Sequence, residues 1–262
     1  MEFNKTMAEK FIKKRNENMF NFDKKYLYIT LGIIILWNIS SRLHSIESIL
    51  SLLVTLPAVI IAMTFHEYAH AFAADKLGDD TPRLQGRLTL NPLKHIEPVG
   101  FFLLLFAGFG WGRPVQINPI KFNKNITMSK GEAIVSFAGP LMNIILAIIS
   151  AFLLGIVIKF NVLVNIKLQY AQLILSFLIQ LIYINIGLGV FNLIPLPPLD
   201  GSKILRHFLP YNAKMWFDKN QYIFYIIFVI MWTLGITSII ISPAIDFIST
   251  VILTLVHSVL GI

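Results

Sequence analysis

Residues 64–70 read Thr64-Phe65-His66-Glu67-Tyr68-Ala69-His70 and lie within an apolar stretch of the chain, 49–74. His66 and His70 are four residues apart, which on an α-helix places both imidazoles on one face, one turn apart. Glu67 lies beside that face, where a carboxylate can accept a proton from a water activated by a metal ion. The stretch therefore predicts a helix that carries two metal ligands and a general base.

The chain around this stretch has the composition of a multispanning membrane protein. Hydrophobic residues make up 56% of the 262 residues and charged residues only 14%, whereas about a quarter is usual for charged residues in soluble domains. The mean hydropathy is +0.70. The lack of cysteine excludes disulfides, a thiolate nucleophile and a cysteine-ligated metal. The net charge of +8 fits basic cytoplasmic loops, so we expect no nucleic-acid partner.

Apolar segments predict about six transmembrane helices, and one shorter segment, 99–110, is interpreted as re-entrant. If 99–110 does not cross, 19 of the 22 Lys and Arg residues lie on the cytoplasmic side; if it crosses, only 13 do. The positive-inside rule therefore favours six spans with both termini cytoplasmic. The predicted spans are 26–40, 49–74, 131–158, 170–196, 221–241 and 243–262.

The domain organisation is simple. Residues 1–25 are polar and lysine-rich, which predicts a cytoplasmic basic N-terminal segment. Residues 26–262 predict a single membrane domain, with the functional core within 49–205.

Two histidines and a carboxylate in mid-span cost several kcal/mol unless they are satisfied, so such groups usually mark function.

A catalytic zinc site usually has three protein ligands, so a third ligand is needed beside the two histidines. The later spans offer Glu132, Asp200 and Asp246. Asp246 follows Ser242-Pro243, which predicts a helix start, and Glu132 also lies at a helix start; both carboxylates are explained by the helix dipole. Asp200 follows a proline-broken apolar segment, 192–199, and the six-span topology places it in the same membrane half as His66. Asp200 is therefore the favoured third ligand.

Two short alternating segments, Arg87–Pro92 and Pro114–Pro119, each end in Asn-Pro. They predict a small membrane-associated β-hairpin or sheet that adds an extended substrate as a further strand, the alternative being two plain loop segments. The expected fold is thus an all-α membrane protein with a re-entrant segment and this small sheet.

Three further motifs accompany the histidine motif. They are Ser136-Phe137-Ala138-Gly139-Pro140-Leu141-Met142-Asn143, Asn192-x-x-Pro195 through Asp200-Gly201, and the run from Gly86 to Pro98. Together with residues 66–70 they make the chain resemble the site-2 proteases, a family of intramembrane zinc metalloproteases. The resemblance covers about residues 60–205 and is closest to minimal members without a PDZ or CBS domain.

The resemblance implies a core of three helices with one zinc ion per chain on His66, His70 and Asp200. It also implies that Glu67 is the general base and that the substrates are transmembrane or membrane-bound proteins or peptides, the activity called regulated intramembrane proteolysis. We expect a multi-pass protein of a bacterial cell membrane that contacts the lipid bilayer. A regulatory membrane protein is a candidate partner.

Other polar residues have two interpretations each. Asn192 and Asn143 are candidate catalytic donors to the oxyanion, and the alternative is that both make interhelical hydrogen bonds. Gly139-Pro140 predicts a break or a tight helix crossing. His95 lies outside the metal helix, which favours a structural or substrate-gating role over metal binding.

Two other classes of function compete with the protease. A zinc transporter explains histidine and aspartate within spans, but it does not explain Glu67 beside the metal or the proline break. A proteolytically inactive scaffold that binds membrane segments is the third class, although this chain retains all four groups that hydrolysis needs.

Overall fold

The computed structural model describes residues 45–107 and 110–262, and within these ranges the chain is helical. From Ile49 to Ile262 it forms one compact unit. The described α-helices are α1 (Ile46–Lys76), α2 (Thr81–Leu84), α3 (Pro98–Ala107), α4 (Met128–Lys159), α5 (Leu168–Asn192), α6 (Asp200–Phe208), α7 (Tyr211–Lys219), α8 (Gln221–Thr233) and α9 (Ile236–Leu260).

Four of the described helices are long and apolar enough to cross a membrane: α1, α4, α5 and α9. This agrees with the helical membrane architecture expected from composition. Helix α3 has ten residues, about half of the roughly 20 that a crossing needs. The predicted segments 1–25 and 26–40 lie outside the described residues.

Helix α4 lies at the centre of the bundle and packs against α5, α6 and α9. The core between α4, α5 and α9 combines small residues of α4 with branched residues of the other two helices. Small side chains let membrane helices approach closely, and that contact replaces the hydrophobic driving force that is missing in lipid. The buried residues of this core are Ala147, Ala151, Ile182, Ile186, Ile252 and Val256.

The predicted β-hairpin or sheet is wrong, because the described residues contain no β-strand. The two Asn-Pro steps begin 3₁₀ turns instead of ending strands. Asn91 and Asn118 each accept a hydrogen bond from the backbone N–H two residues on and thereby cap the turns Pro92–Lys94 and Pro119–Lys121. Short polar side chains that bond to the local backbone compete in this way with strand pairing.

The predicted division of the last two spans is also wrong. The segment 221–241 does not form one span: α8 has 13 residues, and α9 begins at Ile236. The break occurs at Gly235, whose φ of 70° is readily adopted only by glycine. Pro243 lies inside α9, so Ser242 is not a helix cap and Asp246 is an exposed residue of the helix interior.

Candidate metal centre

Three side chains from two helices converge on one buried point. His66 and His70 come from α1, and Asp200 is the first residue of α6. The two Nε2 atoms lie 3.0 Å apart, and Oδ2 of Asp200 lies 3.2 Å from the Nε2 atom of His66 and 3.1 Å from that of His70. All three residues are buried. Among the described residues this is the group of side chains that could hold a metal ion.

The turn between α5 and α6 directs Asp200 inward. A Cβ atom at Gly201 would lie 2.3 Å from the carbonyl oxygen of Leu193 and 2.4 Å from that of Ile194. Only glycine permits this contact, which folds the start of α6 onto the end of α5. Ser202 donates a hydrogen bond of 2.6 Å from its hydroxyl to the Leu199 carbonyl and closes the turn.

Hydrogen bonds fix the orientation of both imidazoles. The amide of Asn143 donates to the Ala62 carbonyl at 3.1 Å and to Oδ1 of Asn185 at 2.9 Å, so its own Oδ1 is the acceptor that lies 2.6 Å from Nδ1 of His66. His70 donates from Nδ1 to the Val135 carbonyl at 2.7 Å. Both rings therefore carry their proton on Nδ1, and their Nε2 lone pairs point toward Asp200.

This donor set fits a metal ion. Two imidazole lone pairs and a carboxylate oxygen within 3.2 Å of one another repel unless a cation lies among them. Donors at about 2.0–2.1 Å from a tetrahedral ion lie about 3.3–3.4 Å apart, close to the separations found here. Two histidines and one carboxylate are the ligands of several catalytic zinc sites, which keep a fourth position open.

Gly139 on α4 provides the space for the two rings. A Cβ atom there would lie 2.5 Å from Nε2 of His70 and 2.7 Å from Cε1 of His66. Pro140 lies inside α4, which continues from Met128 to Lys159. The Gly139-Pro140 step is therefore a tight crossing against His66 and His70 and not a break in the helix.

Glu67 lies beside the cluster and faces the loop that precedes α4. It is half-buried. A Cβ atom at Gly112 would lie 3.0 Å from Oε1 of Glu67 and 3.1 Å from the carbonyl oxygen of His95. Two loop segments, around His95 and around Gly112, thus form one wall of the pocket that holds the Glu67 carboxylate.

Arg87 joins these two loop segments, and sequence reasoning did not identify it. Its guanidinium donates to the carbonyls of Lys94, Arg113 and Pro114. The residue is buried, and burial lowers the pKa of the guanidinium from its usual value. No sequence signal distinguishes this arginine from a surface one, because its three acceptors are backbone carbonyls.

His95 is completely buried in the same loop. Its Nε2 donates to the Thr89 carbonyl at 2.6 Å, and its own carbonyl accepts a hydrogen bond of 2.7 Å from the Arg113 N–H. His95 is not a member of the metal cluster. Its contacts are those of a residue that holds the loop together.

A second polar cluster holds α6 at its other end. Arg206 donates two hydrogen bonds to Asp218, at 2.8 and 2.7 Å, and a third to Glu132 at 3.0 Å. The hydrogen bonds with Asp218 raise the pKa of Arg206. Glu132, weighed above as a metal ligand, is therefore engaged in tying α4 to α6.

Asn192 is placed differently from Asn143. It is the last residue of α5, is half-buried, and donates from its amide to the Leu188 carbonyl at 2.9 Å. Asn143 is completely buried and contacts both His66 and Asn185. Of the two asparagines, the described contacts join only Asn143 to the metal cluster.

Comparison with known proteins places this centre in a family. YwhC of Bacillus subtilis is 37% identical over 188 residues, which cover 72% of this chain and 84% of YwhC; its name provisionally calls it a zinc metalloprotease. Rip2 of Mycolicibacterium smegmatis, with a name of the same kind, is 31% identical over 178 residues, 66% of this chain and 64% of Rip2. No solved structure matches the chain.

The model of peptidase family M50 matches residues 54–234. The matched range contains the two histidines, Glu67 and Asp200. The match confirms the resemblance to the site-2 proteases. The chain therefore belongs to peptidase family M50.

Proposed function

We propose that the protein is a zinc-dependent intramembrane endopeptidase that hydrolyses peptide bonds of transmembrane or membrane-bound substrates. One zinc ion per chain is held by His66, His70 and Asp200. The observation that carries the proposal is the convergence of two imidazoles and a carboxylate inside a bundle of helices long enough to span a membrane, with the Nδ1 atom of each imidazole hydrogen-bonded to an oxygen. The names of the relatives support zinc as the ion.

Glu67 performs the proton transfers. When bound, zinc supplies the Lewis acid that activates water and polarises the scissile carbonyl. Glu67 accepts the proton of the attacking water on its carboxylate and returns it to the leaving amine. Its position on α1, one residue after His66 and with its carboxylate in contact with Gly112, supports this role.

The two asparagines take different parts in this mechanism. Asn143 is a positioning residue: its amide hydrogens are already donated to Ala62 and Asn185, and its oxygen orients His66. Asn192 is the proposed donor to the oxyanion, because it ends α5 just before the turn that delivers Asp200. Donation to an oxyanion requires its amide to leave the Leu188 carbonyl.

The proposed orientation places the metal centre in the cytoplasmic half of a bacterial cell membrane. Eight Lys and Arg residues lie in 76–130 and four in 201–220, against two in 159–167, the connection between α4 and α5. The first two segments both adjoin the metal cluster. The positive-inside rule assigns them to the cytoplasm, as it does the N-terminal segment 1–25.

The proposal is tested by measuring zinc per chain and cleavage of a transmembrane reporter peptide in the same detergent-purified samples. Glu67→Gln should keep zinc and lose cleavage by at least about 10²-fold, the scale of general-base catalysis. Asp200→Ala should lose both. Asp246→Ala is the matched control, since this exposed carboxylate on α9 should affect neither.

Each outcome separates the alternatives. If Glu67→Gln binds zinc and cleaves the reporter as well as the wild type does, the assigned mechanism is contradicted. If the wild-type protein binds zinc but does not cleave the reporter, a transporter is favoured. A wild-type chain without stoichiometric zinc would favour the inactive scaffold. Normal zinc in Asp200→Ala would show that another residue is the third ligand.

A further inference from the structure

A groove lies along the exposed face of α1, next to the proposed active site. It has a volume of about 460 Å³ and is formed by α1 on one side and by residues 83–89 on the other. This volume is within the range of about 300–1,000 Å³ found for ligand sites. Tyr68, the residue after Glu67, lines one end, and Lys76 at the end of α1 lines the other.

Both sides of the groove are connected to the surroundings of Glu67. Helix α1 carries Glu67 as well as the groove residues. The opposite wall includes Thr89, whose carbonyl accepts a hydrogen bond from His95, and the His95 carbonyl adjoins Gly112 beside Glu67. The groove therefore begins one residue from Glu67, and its second wall is hydrogen-bonded to the loop that contacts Glu67.

The floor near the base is aromatic. The rings of Tyr68 and Phe72 stack with centroids 5.9 Å apart at 27°, and Leu88 lines the opposite wall. The nine residues from Tyr68 to Lys76 span about 12 Å of helix. That length accommodates about three or four residues of an extended peptide.

The far end of the groove is positively charged. Arg83 donates two hydrogen bonds to Asp75, at 2.8 and 2.7 Å, so the one acidic side chain among the described lining residues is already engaged. The ammonium of Lys76 lies 5.3 Å from the centroid of the Phe72 ring. Lys76 and Arg83 outnumber Asp75 in the described lining. The nearby Asp80 is paired with Lys121, so this end keeps an excess of positive charge.

We propose that this groove binds the juxtamembrane segment of the substrate, with an apolar side chain on Tyr68 and Phe72 and an acidic side chain at Lys76. The inference rests on the proposed function and orientation. It adds a rule of substrate choice, namely that substrates with acidic flanks are preferred over those with basic flanks. Most membrane proteins carry basic residues at the cytoplasmic ends of their spans. A positively charged groove repels such flanks, and repulsion of wrong partners is a common source of specificity.

The test uses two reporter substrates with the same transmembrane sequence and either three glutamates or three lysines in the cytoplasmic flank. We expect the wild-type enzyme to cleave the glutamate reporter with a kcat/KM higher by roughly fivefold at low ionic strength, the scale of a partly exposed ion pair. Added salt should reduce this ratio. Lys76→Gln should bring the ratio near one, and Lys76→Glu should invert it.

Lys94→Glu is the matched control, since this exposed lysine follows groove residues 83–89 along the chain but does not line the groove. An equal ratio in wild type and both Lys76 variants, or the same change with Lys94→Glu, would overturn the proposal. Glu67→Gln, measured with both reporters, separates this failure from failure of the proposed function. If cleavage requires Glu67 and zinc but the reporter ratio does not depend on Lys76, only the role of the groove is disproved. If the Glu67→Gln variant still cleaves the reporters, the protease mechanism is disproved.

Discussion

The Oδ1 atom of Asn143 lies 2.6 Å from the Nδ1 atom of His66, and this contact links the metal cluster to the centre of the helix bundle. Asn143 in turn donates to Oδ1 of Asn185, whose amide donates to the Leu181 carbonyl at 2.8 Å. Three helices, α1, α4 and α5, are thereby joined through one chain of hydrogen bonds. Because every group in it is completely or almost completely buried, each hydrogen bond restrains the next.

We expect Asn143→Ala to weaken zinc binding by about 10- to 100-fold, the usual effect of removing a partner that orients a metal-binding histidine. Zinc affinity measured by competition with a chelator tests this. Asn192→Ala is the comparison: it should keep zinc affinity and lower kcat, because its side chain is the proposed oxyanion donor. Equal zinc affinity in wild type and Asn143→Ala would show that His66 is oriented by other contacts.

Gly139→Ala should abolish zinc binding even though it adds only one methyl group. The new Cβ atom would lie 2.5 Å from Nε2 of His70, closer than real side-chain atoms approach. Gly187→Ala on α5 is the matched control, since its nearest neighbour would be Ile245 Cδ1 at 3.7 Å, an ordinary contact. Zinc per chain should be near zero in the first variant and near one in the second. Stoichiometric zinc in Gly139→Ala would mean that α4 and α1 can separate without losing the site.

The parts of the site that the sequence predicted depend on local spacing and topology. The i, i+4 spacing of His66 and His70 places them together on any helix. Charge counting predicts that the segment of Asp200 lies in the same half of the membrane as the histidines, and the structure brings the three side chains together. The contacts that could not be predicted from the sequence are long-range ones, such as the hydrogen bonds of Arg87 to the carbonyls of residues 94, 113 and 114.

The errors in the predicted fold occurred where one sequence pattern is compatible with two local structures. Asn91-Pro92 and Asn118-Pro119 can end a strand or begin a 3₁₀ turn, and the asparagine side chains decide for the turn. Ser242-Pro243 can start a helix or lie within one. Helix α9 starts earlier, after a left-handed glycine, and continues through Pro243.

We expect Arg206→Met to weaken zinc binding and lower the thermal stability, although Arg206 touches no metal ligand. It removes three hydrogen bonds to Asp218 and Glu132, which anchor the helix that begins with Asp200. Lys121→Met is the control, since it removes an exposed ion pair of 2.5 Å with Asp80, and exposed pairs contribute about 0–1 kcal/mol. Thermal unfolding with and without chelator measures both effects. If Arg206→Met lowers the thermal stability equally with and without zinc, the anchoring of α6 by Arg206 does not contribute to zinc binding.

Arg87→Lys should lower kcat by about tenfold or more while leaving zinc per chain at the wild-type level. Lysine keeps the charge but cannot bond simultaneously to the carbonyls of Lys94, Arg113 and Pro114, because its donors lie on one atom. The segment at Gly112 would then lose its position against Glu67, whereas the metal ligands lie on α1 and α6 and keep theirs. Lys94→Met, an exposed side chain in the same loop, is the control and should retain activity. If Arg87→Lys lost zinc and activity together, Arg87 would be needed for folding of the whole site; unchanged kcat would show that the loop keeps its position without the guanidinium.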